Sequence, residues 1–336
     1  MRGAEPRVSV LMPAWNAGAT IAACLESIRR QTLSEWECIV VDDGSSDATA
    51  TLVRHAAARD TRIRLIARPR RGLVPALNEG LPHCRAPHIA RMDADDVMRR
   101  ERLAAQLDML DRDSGLSAVG CHVRIFPRSG MFPRLRDYEA WLNSLRSADE
   151  VSRDAFVECP IAHPTLMMRR DMARLAYCDR HWPEDYDLLL RALTTGMRIG
   201  VVPRRLLLWR DRTDRWSRRN AAYRIEQFTA CKAHYLAHGF LARNKSYVLW
   251  GYGATGRLLR KALAAHDKTP THIVEVKRSR IGQCIHGAPV IPVSELVLLR
   301  GSPVIVSVAR LGPRTEIRDA LAAIGFVEGK DFVCAA

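Results

Sequence analysis

Three aspartates, Asp93, Asp95 and Asp96, directly follow a short and largely apolar run, residues 88–92. Carboxylates this close repel one another, and each is costly to bury without a partner, so a cation is expected among them. Carboxylate oxygens suit Mg²⁺ or Mn²⁺, which keep coordination positions for water and for substrate phosphates. Asp93 and Asp95 therefore predict a site for Mn²⁺ or Mg²⁺ that carries a nucleotide diphosphate. We expect Asp96 to cap the helix that follows.

A second acidic pair, Asp42 and Asp43, follows the predicted strand 37–41. These carboxylates do not attract phosphate directly, but they accept hydrogen bonds from a base or a ribose. The two acidic segments together predict a pocket that recognises a nucleoside through acids and its phosphates through a metal.

Apolar segments alternate with helical patterns over the first part of the chain, which predicts an α/β fold with a mostly parallel sheet. The predicted strands cover residues 8–12, 37–41, 63–67 and 88–92. In such sheets ligands bind beyond the carboxyl ends of the strands. Polar residues follow three of these ends, so we expect the two acidic segments to be neighbours in space.

The middle of the chain predicts a helix followed by a basic arm. The sequence HWPEDYDLLLRAL begins at His181 and predicts a helix start near Pro183, with Glu184 and Asp185 in its first turn. Residues 204–219 contain seven arginines together with Trp209 and Trp216. We expect a basic and helical arm over about residues 204–243, at the end of a first domain 1–243, and a second domain 244–336.

Gly251, Gly253 and Gly256 form a G-x-G-x-x-G motif between a predicted strand and a predicted helix, the context in which this motif binds nucleotide phosphates. Glu275 lies about twenty residues further on, where a ribose-binding acid is expected. The pattern predicts a smaller Rossmann-like α/β domain that binds NAD(P) or another nucleotide. No candidate redox residue stands beside it, which favours a structural or regulatory role over a catalytic one.

Composition narrows the class of protein. The net charge of +15, from 52 basic and 37 acidic residues, favours anionic partners. There is no apolar stretch of about 18 residues and no signal-peptide pattern, and the nine cysteines form no CxxC pair. We expect a soluble, cytoplasmic protein, with peripheral contact at the inner face of an anionic membrane left open.

Six segments resemble, in the same order, the motifs of the inverting glycosyltransferases of family 2, which have the GT-A (nucleotide-diphospho-sugar transferase) fold. The resemblance covers roughly residues 7–220, with the segments VSVLMPAWNAGATIAACLESIRRQT, ECIVVDDGSSDAT, ALNEGL, ARMDADDVMRRERLAAQ, AHPTLMMRR and EDYDLLLRAL. It implies transfer of a sugar from a nucleoside-diphosphate sugar to a glycan or lipid-linked acceptor, in cell-envelope polysaccharide synthesis.

The resemblance also implies roles for individual residues. The donor nucleotide would contact Pro13, Ala14, Asn16, Asp42, Asp43, Asn78 and Asp93. Asp95 would bind the metal, and Asp185 of the Glu184-Asp185 pair would be the general base that deprotonates the acceptor. His163 stands where the family often has a histidine near the acceptor.

Two other classes of protein stay open at this point. The basic charge and the Trp-Arg arm also suit a nucleic-acid-binding protein, although clustered acids at the predicted cleft argue against nucleic acid as a partner. The glycine motif also suits an NAD(P)-dependent oxidoreductase. His234 and His238 have the i, i+4 spacing of a metal pair, but Gly239 follows them and no Glu stands beside the first, so a helix end is favoured.

Overall fold

A computed structural model of the chain describes residues 5–212, 220–309 and 311–336. Trp216 and the rest of segment 213–219, which the sequence places in the basic arm, lie outside the described residues. The chain divides into two compact units. The first unit comprises Met1–Val151, Pro160–Asp179 and Thr195–Arg218, and the second unit comprises Ser152–Cys159, Arg180–Thr194 and Arg219–Ala336.

The first unit is built on an eight-stranded sheet with the order β3-β2-β1-β4-β7-β6-β8-β5. Its strands are β1 (Val8–Ala14), β2 (Trp36–Asp43), β3 (Ile63–Arg68), β4 (His88–Arg91), β5 (Val97–Met98), β6 (Leu116–Phe126), β7 (Met167–Arg169) and β8 (Arg198–Arg210). Strands β3, β2, β1 and β4 pair in parallel, and β7 is antiparallel to both β4 and β6. The predicted α/β fold with a mostly parallel sheet is confirmed.

Helices α1 (Ile21–Arg29), α2 (Thr49–Arg59), α3 (Leu73–Gly80) and α4 (Arg102–Arg112) follow strands of this sheet. Further helices are α5 (Pro133–Leu142), α6 (Ala148–Arg153) and α7 (Arg170–Ala173), with 3₁₀ turns at Leu81–His83 and His163–Thr165. All residues of β1 and β2 are buried. Their near-continuous apolar sequences fit this position, because central parallel strands are covered on both faces.

Residues 204–210, which we expected in the basic arm, instead form the end of β8, paired with β6 and β5. The arginines at 204 and 205 are exposed, whereas Leu206, Leu207 and Trp209 are buried. The apolar residues next to these arginines therefore form the buried part of a strand. The high number of arginines in this segment had suggested an exposed arm instead.

The second unit contains a six-stranded sheet with the order β11-β12-β10-β9-β13-β14. Its strands are β9 (Ser246–Trp250), β10 (Thr269–Val274), β11 (Cys284–Ile285), β12 (Ala288–Ile291), β13 (Val304–Val306) and β14 (Phe332–Cys334). Apart from β11, the strands pair in parallel. Beginning at β9, the parallel strands follow the order 3-2-1-4-5 found in doubly wound sheets.

The helices of the second unit are α8 (Glu184–Thr194), α9 (Ile225–His238), α10 (Ala254–Ala264) and α11 (Leu311–Ala323), with 3₁₀ turns at Ala221–Tyr223, Arg278–Arg280 and Val293–Leu299. Leu236 of α9, Leu259 of α10 and Ile273 of β10 belong to one buried apolar cluster. This unit therefore has its own core. Across the described segments of both units, no helix is long and apolar enough to cross a membrane.

Candidate active site

The carboxyl ends of β1, β2 and β4 meet at one edge of the first sheet. Ala14 of β1 is in register with Asp42 of β2, and Leu11 is in register with Arg91, the last residue of β4. The chain stays against β1 beyond that point, because the Met92 amide donates to the Leu11 carbonyl at 3.1 Å. The predicted convergence of the two acidic segments at this sheet edge is thus seen in the register of the strands.

Asp93, Asp95 and Asp96 form a compact cluster in the turn after β4. Each offers a carboxylate oxygen that lies within 4.8 Å of one on the others. Asp93 and Asp95 are partly exposed, whereas Asp96 is only 1% exposed. The two outer carboxylates therefore face the solvent side of the turn, and the third belongs to its base.

Two arginines, Arg91 and Arg210, contact the acidic turn. Arg91, almost fully buried, forms an ion pair with Asp93. The Arg210 backbone amide donates to Oδ1 of Asp96 at 2.7 Å, and the Arg210 Nε donates to the Asp95 carbonyl at 2.7 Å. Asp96 is therefore not the cap of α4, which begins at Arg102. Its carboxylate instead binds the backbone of β8 and holds the acidic turn against that strand.

A further arginine, Arg102, supports the turn from within the core. It is fully buried at the start of α4, and its Nη2 donates to the Arg91 carbonyl at 2.9 Å. Its Nε donates to Oε1 of Gln106 at 3.0 Å. Burial lowers the pKa of this guanidinium, while Cys121 and Asp96 act in the opposite direction. Nothing in the local sequence distinguishes Arg102 from the exposed arginines around it.

The turns after β1 and β2 are hydrogen-bonded to each other. Oδ1 of Asn16 accepts from the Ser46 amide at 2.9 Å, and the Asn16 amide donates to the Ser45 hydroxyl at 2.9 Å. Asn16 has a φ of +48°, a conformation that asparagine tolerates better than most residues. Pro13 and Ala14 belong to β1 itself and are buried. Of the residues predicted to contact the nucleotide, Pro13 and Ala14 thus form the end of β1. Asn16 joins the turns after β1 and β2.

Asp43 anchors the loop that follows β3. Its Oδ1 accepts from the Arg71 amide at 2.9 Å and its Oδ2 from the Gly72 amide at 2.8 Å. The buried Arg68 Nε lies 3.4 Å from the same carboxylate. Asp42 makes a local turn, in which its Oδ1 accepts from the Ser45 amide at 3.3 Å.

Asn78 and His163 both contact Tyr177 in the first unit. The Asn78 amide group donates to the Tyr177 carbonyl at 2.8 Å, and its Oδ1 accepts from the Tyr177 amide at 2.9 Å. His163 is 7% exposed, and its Nε2 lies 3.0 Å from the Tyr177 hydroxyl. Asn78 thus holds two segments that are 99 positions apart, a contact that the sequence did not predict.

Burial lowers the pKa of His163 well below 6.5, and the nearby Arg91 acts in the same direction. The unfolded chain therefore binds a proton before the folded one does, so stability falls as the pH decreases below about 6.5. We expect this one group to contribute a slope of up to about 1.4 kcal/mol per pH unit in that window. Unfolding free energies measured from pH 7.5 to 5.5 should be less pH-dependent in His163→Gln. The matched exposed variant His55→Gln should keep the native slope, and equal slopes in all three proteins would contradict this prediction.

Three acids occupy the first turn of α8 in the second unit. Glu184 is buried, and both of its carboxylate oxygens lie 2.8 Å from the Tyr223 hydroxyl. Asp187 is fully buried and accepts from Nε1 of Trp182 at 2.9 Å and from the Tyr235 hydroxyl at 2.7 Å. Asp185 is partly exposed, and its Oδ1 accepts from the amide of the next residue at 2.8 Å. Of the three, Asp185 alone presents its carboxylate at the surface of this unit.

The glycine motif forms the turn between β9 and α10. Gly251 has a φ of +93°, and a Cβ on Gly256 would lie 2.1 Å from the Gly251 carbonyl, so both positions require glycine. A Cβ on Gly253 would meet nothing within 4 Å. Oε1 of Glu275 accepts from the Tyr252 amide at 3.0 Å and pairs with Arg280 at 2.8 Å. The acid after β10 therefore holds the glycine turn in place.

The family profile described as "Glycosyl transferase family 2" matches residues 9–175 of this chain. This segment includes the acids of both strand ends and stops before α8. EpsE of Bacillus subtilis (strain 168), which carries a provisional glycosyltransferase name, is 30% identical over 240 residues, spanning 68% of this chain and 82% of EpsE. The O-antigen biosynthesis glycosyltransferase WbnJ of Escherichia coli is 30% identical over 190 residues, spanning 55% of this chain and 71% of WbnJ.

Among solved structures, the chain is similar to the mannosyltransferase PcManGT of Pyrobaculum calidifontis, determined with GDP-Man and Mn²⁺. The two are 21% identical with a TM-score of 0.52, over 79% of this chain and 74% of PcManGT. At that level of identity the match supports the fold, and it agrees with the sheet described above.

Proposed function

Because the chain belongs to glycosyltransferase family 2 and is a glycosyltransferase, we propose that it transfers a sugar from a nucleoside-diphosphate sugar to a glycan or lipid-linked acceptor with inversion. The observation that carries the donor assignment is the acidic turn at the joined ends of β1, β2 and β4. Ligands of parallel α/β sheets bind at such edges. The turn also lies inside the segment that matches the family profile.

A divalent metal fits the acidic turn. The available ligand atoms are carboxylate oxygens within 4.8 Å of one another, a set that suits Mn²⁺ or Mg²⁺ better than softer ions. Asp95 and Asp93 would hold the ion, since Asp96 is buried and bound to the Arg210 amide. The Mn²⁺ in PcManGT supports the proposal of a divalent metal cofactor. When bound, such an ion stabilises negative charge on a departing diphosphate.

The protein's own groups provide the rest of the donor site. We propose that Asp42 and Asp43, with Pro13, Ala14 and Asn16, form the side of the pocket that recognises the nucleoside. Asp43 is held in one orientation by the amides of Arg71 and Gly72, so its carboxylate is pre-organised. The hydrogen bonds of Asn78 to Tyr177 favour a positioning role for that residue.

Asp185 is the proposed general base. Inverting transfer requires a group that removes the proton of the acceptor hydroxyl as its oxygen attacks the anomeric carbon. The N-terminus of α8 stabilises a carboxylate in its ionised form, which is the form that accepts a proton. Glu184 is bound to the Tyr223 hydroxyl, and we propose that it positions this turn. We also propose that His163 lies near the acceptor.

The proposed acceptor belongs to cell-envelope polysaccharide synthesis, as the name of WbnJ supports. Lipid-linked acceptors of that kind lie at a membrane surface. The net charge of +15 supports peripheral contact with anionic lipid, since basic proteins are attracted to such surfaces. We therefore propose a cytoplasmic protein that visits the inner face of the membrane.

The donor reaction can be tested without knowing the acceptor. Native protein is incubated with each of a panel of sugar nucleotides, with Mn²⁺ or with a chelator, and release of the nucleoside diphosphate is measured. We expect one donor to be cleaved in a Mn²⁺-dependent manner. Asp95→Asn should lower that rate by about 10²-fold or more, because metal stabilisation of the leaving group is worth several kcal/mol.

Asp108→Asn is the matched control for this experiment. Asp108 is an exposed acid of α4 that forms an ion pair with Arg112, so the Asp108→Asn variant should cleave the donor at the native rate. A cleavage rate that is the same with Mn²⁺ and with the chelator, and equal in Asp95→Asn and Asp108→Asn, would contradict the proposed metal site.

We propose a second binding function for the second unit, at the glycine turn between β9 and α10. A Cβ on Gly253 would meet nothing within 4 Å, so a ligand has room at the N-terminus of α10. The Ser307 side chain, 3% exposed at the end of β13, has its Cβ 3.7 Å from the position of a Cβ on Gly256. Its hydroxyl has no hydrogen-bond partner among the described residues. We propose that this turn binds the phosphates of NAD(P) or another nucleotide in a non-catalytic role.

Gly253→Val tests this proposal, because the residue has a φ of −75° and therefore lies outside the left-handed region that favours glycine. The side chain would fill the ligand space without straining the turn. We expect NAD⁺ or NADP⁺ at saturating concentration to raise the melting temperature of native protein by several degrees, and that of Gly253→Val by much less. An equal rise in both proteins, or none in either, would overturn it.

A further inference from the structure

The second unit contains a cluster of three histidines outside the sites described so far. His234 and His238 stand on the last turns of α9, and His266 follows α10. Each offers a ring nitrogen within 4.8 Å of one on the others. The ring centroids lie 4.5 Å apart for His234 and His238, 5.7 Å for His234 and His266, and 5.4 Å for His238 and His266. The i, i+4 pair that ends α9, as predicted, thus gains a third imidazole from 28 positions further along the chain.

The geometry points to a divalent metal site at His234, His238 and His266, and we propose that it takes Zn²⁺ or a chemically similar ion. Imidazole nitrogens suit Zn²⁺, Co²⁺ and Ni²⁺, whereas Mg²⁺ and Mn²⁺ prefer oxygen. A tetrahedral zinc with Zn–N bonds of about 2.0–2.1 Å holds its nitrogens roughly 3.4 Å apart. Spacings up to 4.8 Å therefore need closure by about 1.4 Å at most for all three nitrogens to bind one ion.

The hydrogen bonding of one histidine already suits coordination. Nδ1 of His238 lies 2.8 Å from the His234 carbonyl oxygen, which only accepts hydrogen bonds. In the neutral ring Nδ1 therefore carries the proton, and Nε2 keeps the lone pair that binds a metal. Metal-binding histidines commonly donate their second nitrogen to a backbone carbonyl in this way. This contact fixes the tautomer of His238 before any ion arrives.

The charged groups around two of the rings are mixed in sign. Arg180 and Asp187 act on His234, and Lys268 and Asp267 act on His266, while Asp187 is also paired with Arg191. The site also lies at the C-terminus of α9, the negative end of the helix dipole. With three protein ligands, the fourth position would be open to water, since His238 is exposed.

A bound ion would tie the end of α9 to the segment after α10. Between these helices the chain passes through β9 and the glycine turn, so the ion would close a loop within the second unit. The protein would gain stability in proportion to the excess of metal over its dissociation constant, because the unfolded chain does not hold the three rings together.

The experiment uses the full chain, stripped of metal and titrated with Zn²⁺ alone and with Co²⁺ alone. We expect one Zn²⁺ ion per chain that is independent of Asp95, a rise in melting temperature, and the visible absorption of tetrahedral Co²⁺. His238→Ala should weaken this binding by about 100-fold or more, since even indirect partners of a metal ligand are worth about 10- to 100-fold. His238 is exposed, so the variant should fold, and His266→Gln supplies a second removal of a ligand.

Two controls distinguish the outcomes. His55→Ala, an exposed histidine of α2, should bind Zn²⁺ as the native protein does. Asp95→Ala should also keep the Zn²⁺ site, which separates it from the acidic turn. Zn²⁺ binding that is lost in Asp95→Ala but retained in His238→Ala and His266→Gln, or no tight binding at all, would overturn the proposal.

Discussion

Replacing Asp185 by asparagine is expected to lower the turnover of sugar transfer by about 10²- to 10⁴-fold, the range that a general base contributes. Asparagine has nearly the same shape, and its Oδ1 still accepts from the amide of Tyr186, so α8 should keep its first turn. The substitution removes the carboxylate that we propose takes the proton of the acceptor hydroxyl. Affinity for the donor nucleotide should stay near the native value, so the defect should appear in kcat.

Initial rates with a saturating donor and a cell-envelope acceptor would measure this loss. Asp319→Asn, at an exposed position of α11, is a matched control that removes one carboxylate from the same unit. Turnover of Asp185→Asn within about threefold of the control, with an unchanged circular dichroism spectrum, would remove Asp185 from the role of base.

The neighbouring acid, Asp187, should have its largest effect on stability. It is fully buried and accepts hydrogen bonds from Trp182 and Tyr235, and Nη2 of Arg191 lies 3.1 Å from its Oδ2. Asp187→Ala would leave the donors of Trp182 and Tyr235 without this acceptor in the core. Loss of one partner of a buried ion pair typically costs about 3–5 kcal/mol, and we expect the free energy of unfolding to fall by that amount.

Chemical denaturation followed by tryptophan fluorescence would measure this change. Asp187→Asn keeps an acceptor for Trp182 and Tyr235 while it removes the charge, so its loss should be smaller than that of Asp187→Ala. A fall below about 1 kcal/mol for Asp187→Ala would show that the hydrogen-bonded group contributes little, as exposed pairs do.

Much of the first unit could be predicted from local pattern. Apolar runs of strand length predicted β1 to β4, and the rule that ligands bind at carboxyl strand ends predicted that Asp42 and Asp93 would share one edge. This succeeded because parallel sheets impose both the burial and the direction of their strands. The G-x-G-x-x-G motif, with a strand pattern before it and a helix pattern after it, predicted the glycine turn between β9 and α10.

The contacts that the sequence did not predict join distant segments. Asp96 accepts from the amide of Arg210, 114 positions away, and Asn78 pairs with Tyr177, 99 positions away. Neither partner has a periodicity or motif that points to the other. The expectation that Asp96 caps α4 was wrong for this reason, since the local pattern could not weigh a partner on β8.

Another difference between the prediction and the structure concerns residues 204–210, which were judged from their composition. Arginines at 204, 205 and 210 suggested a solvated arm, whereas within β8 the exposed pair 204–205 is followed by the buried residues Leu206, Leu207 and Trp209. His266 could not be predicted from the sequence, because it lies 28 positions beyond His238 and forms no metal-ligand spacing pattern with the other two histidines. A metal pair is visible from i, i+4 spacing, but its third ligand needs the packing of α9 and α10.

The central claim is that the acidic turn after β4 binds a nucleotide diphosphate through a divalent metal. Calorimetric titration of UDP, GDP, dTDP and CMP, each with Mn²⁺ or with a chelator, tests it on native protein and on Asp95→Ala. We predict that one nucleotide binds only when Mn²⁺ is present and that Asp95→Ala loses this binding. Binding of that nucleotide with equal affinity in the chelator, or in Asp95→Ala, would contradict the claim.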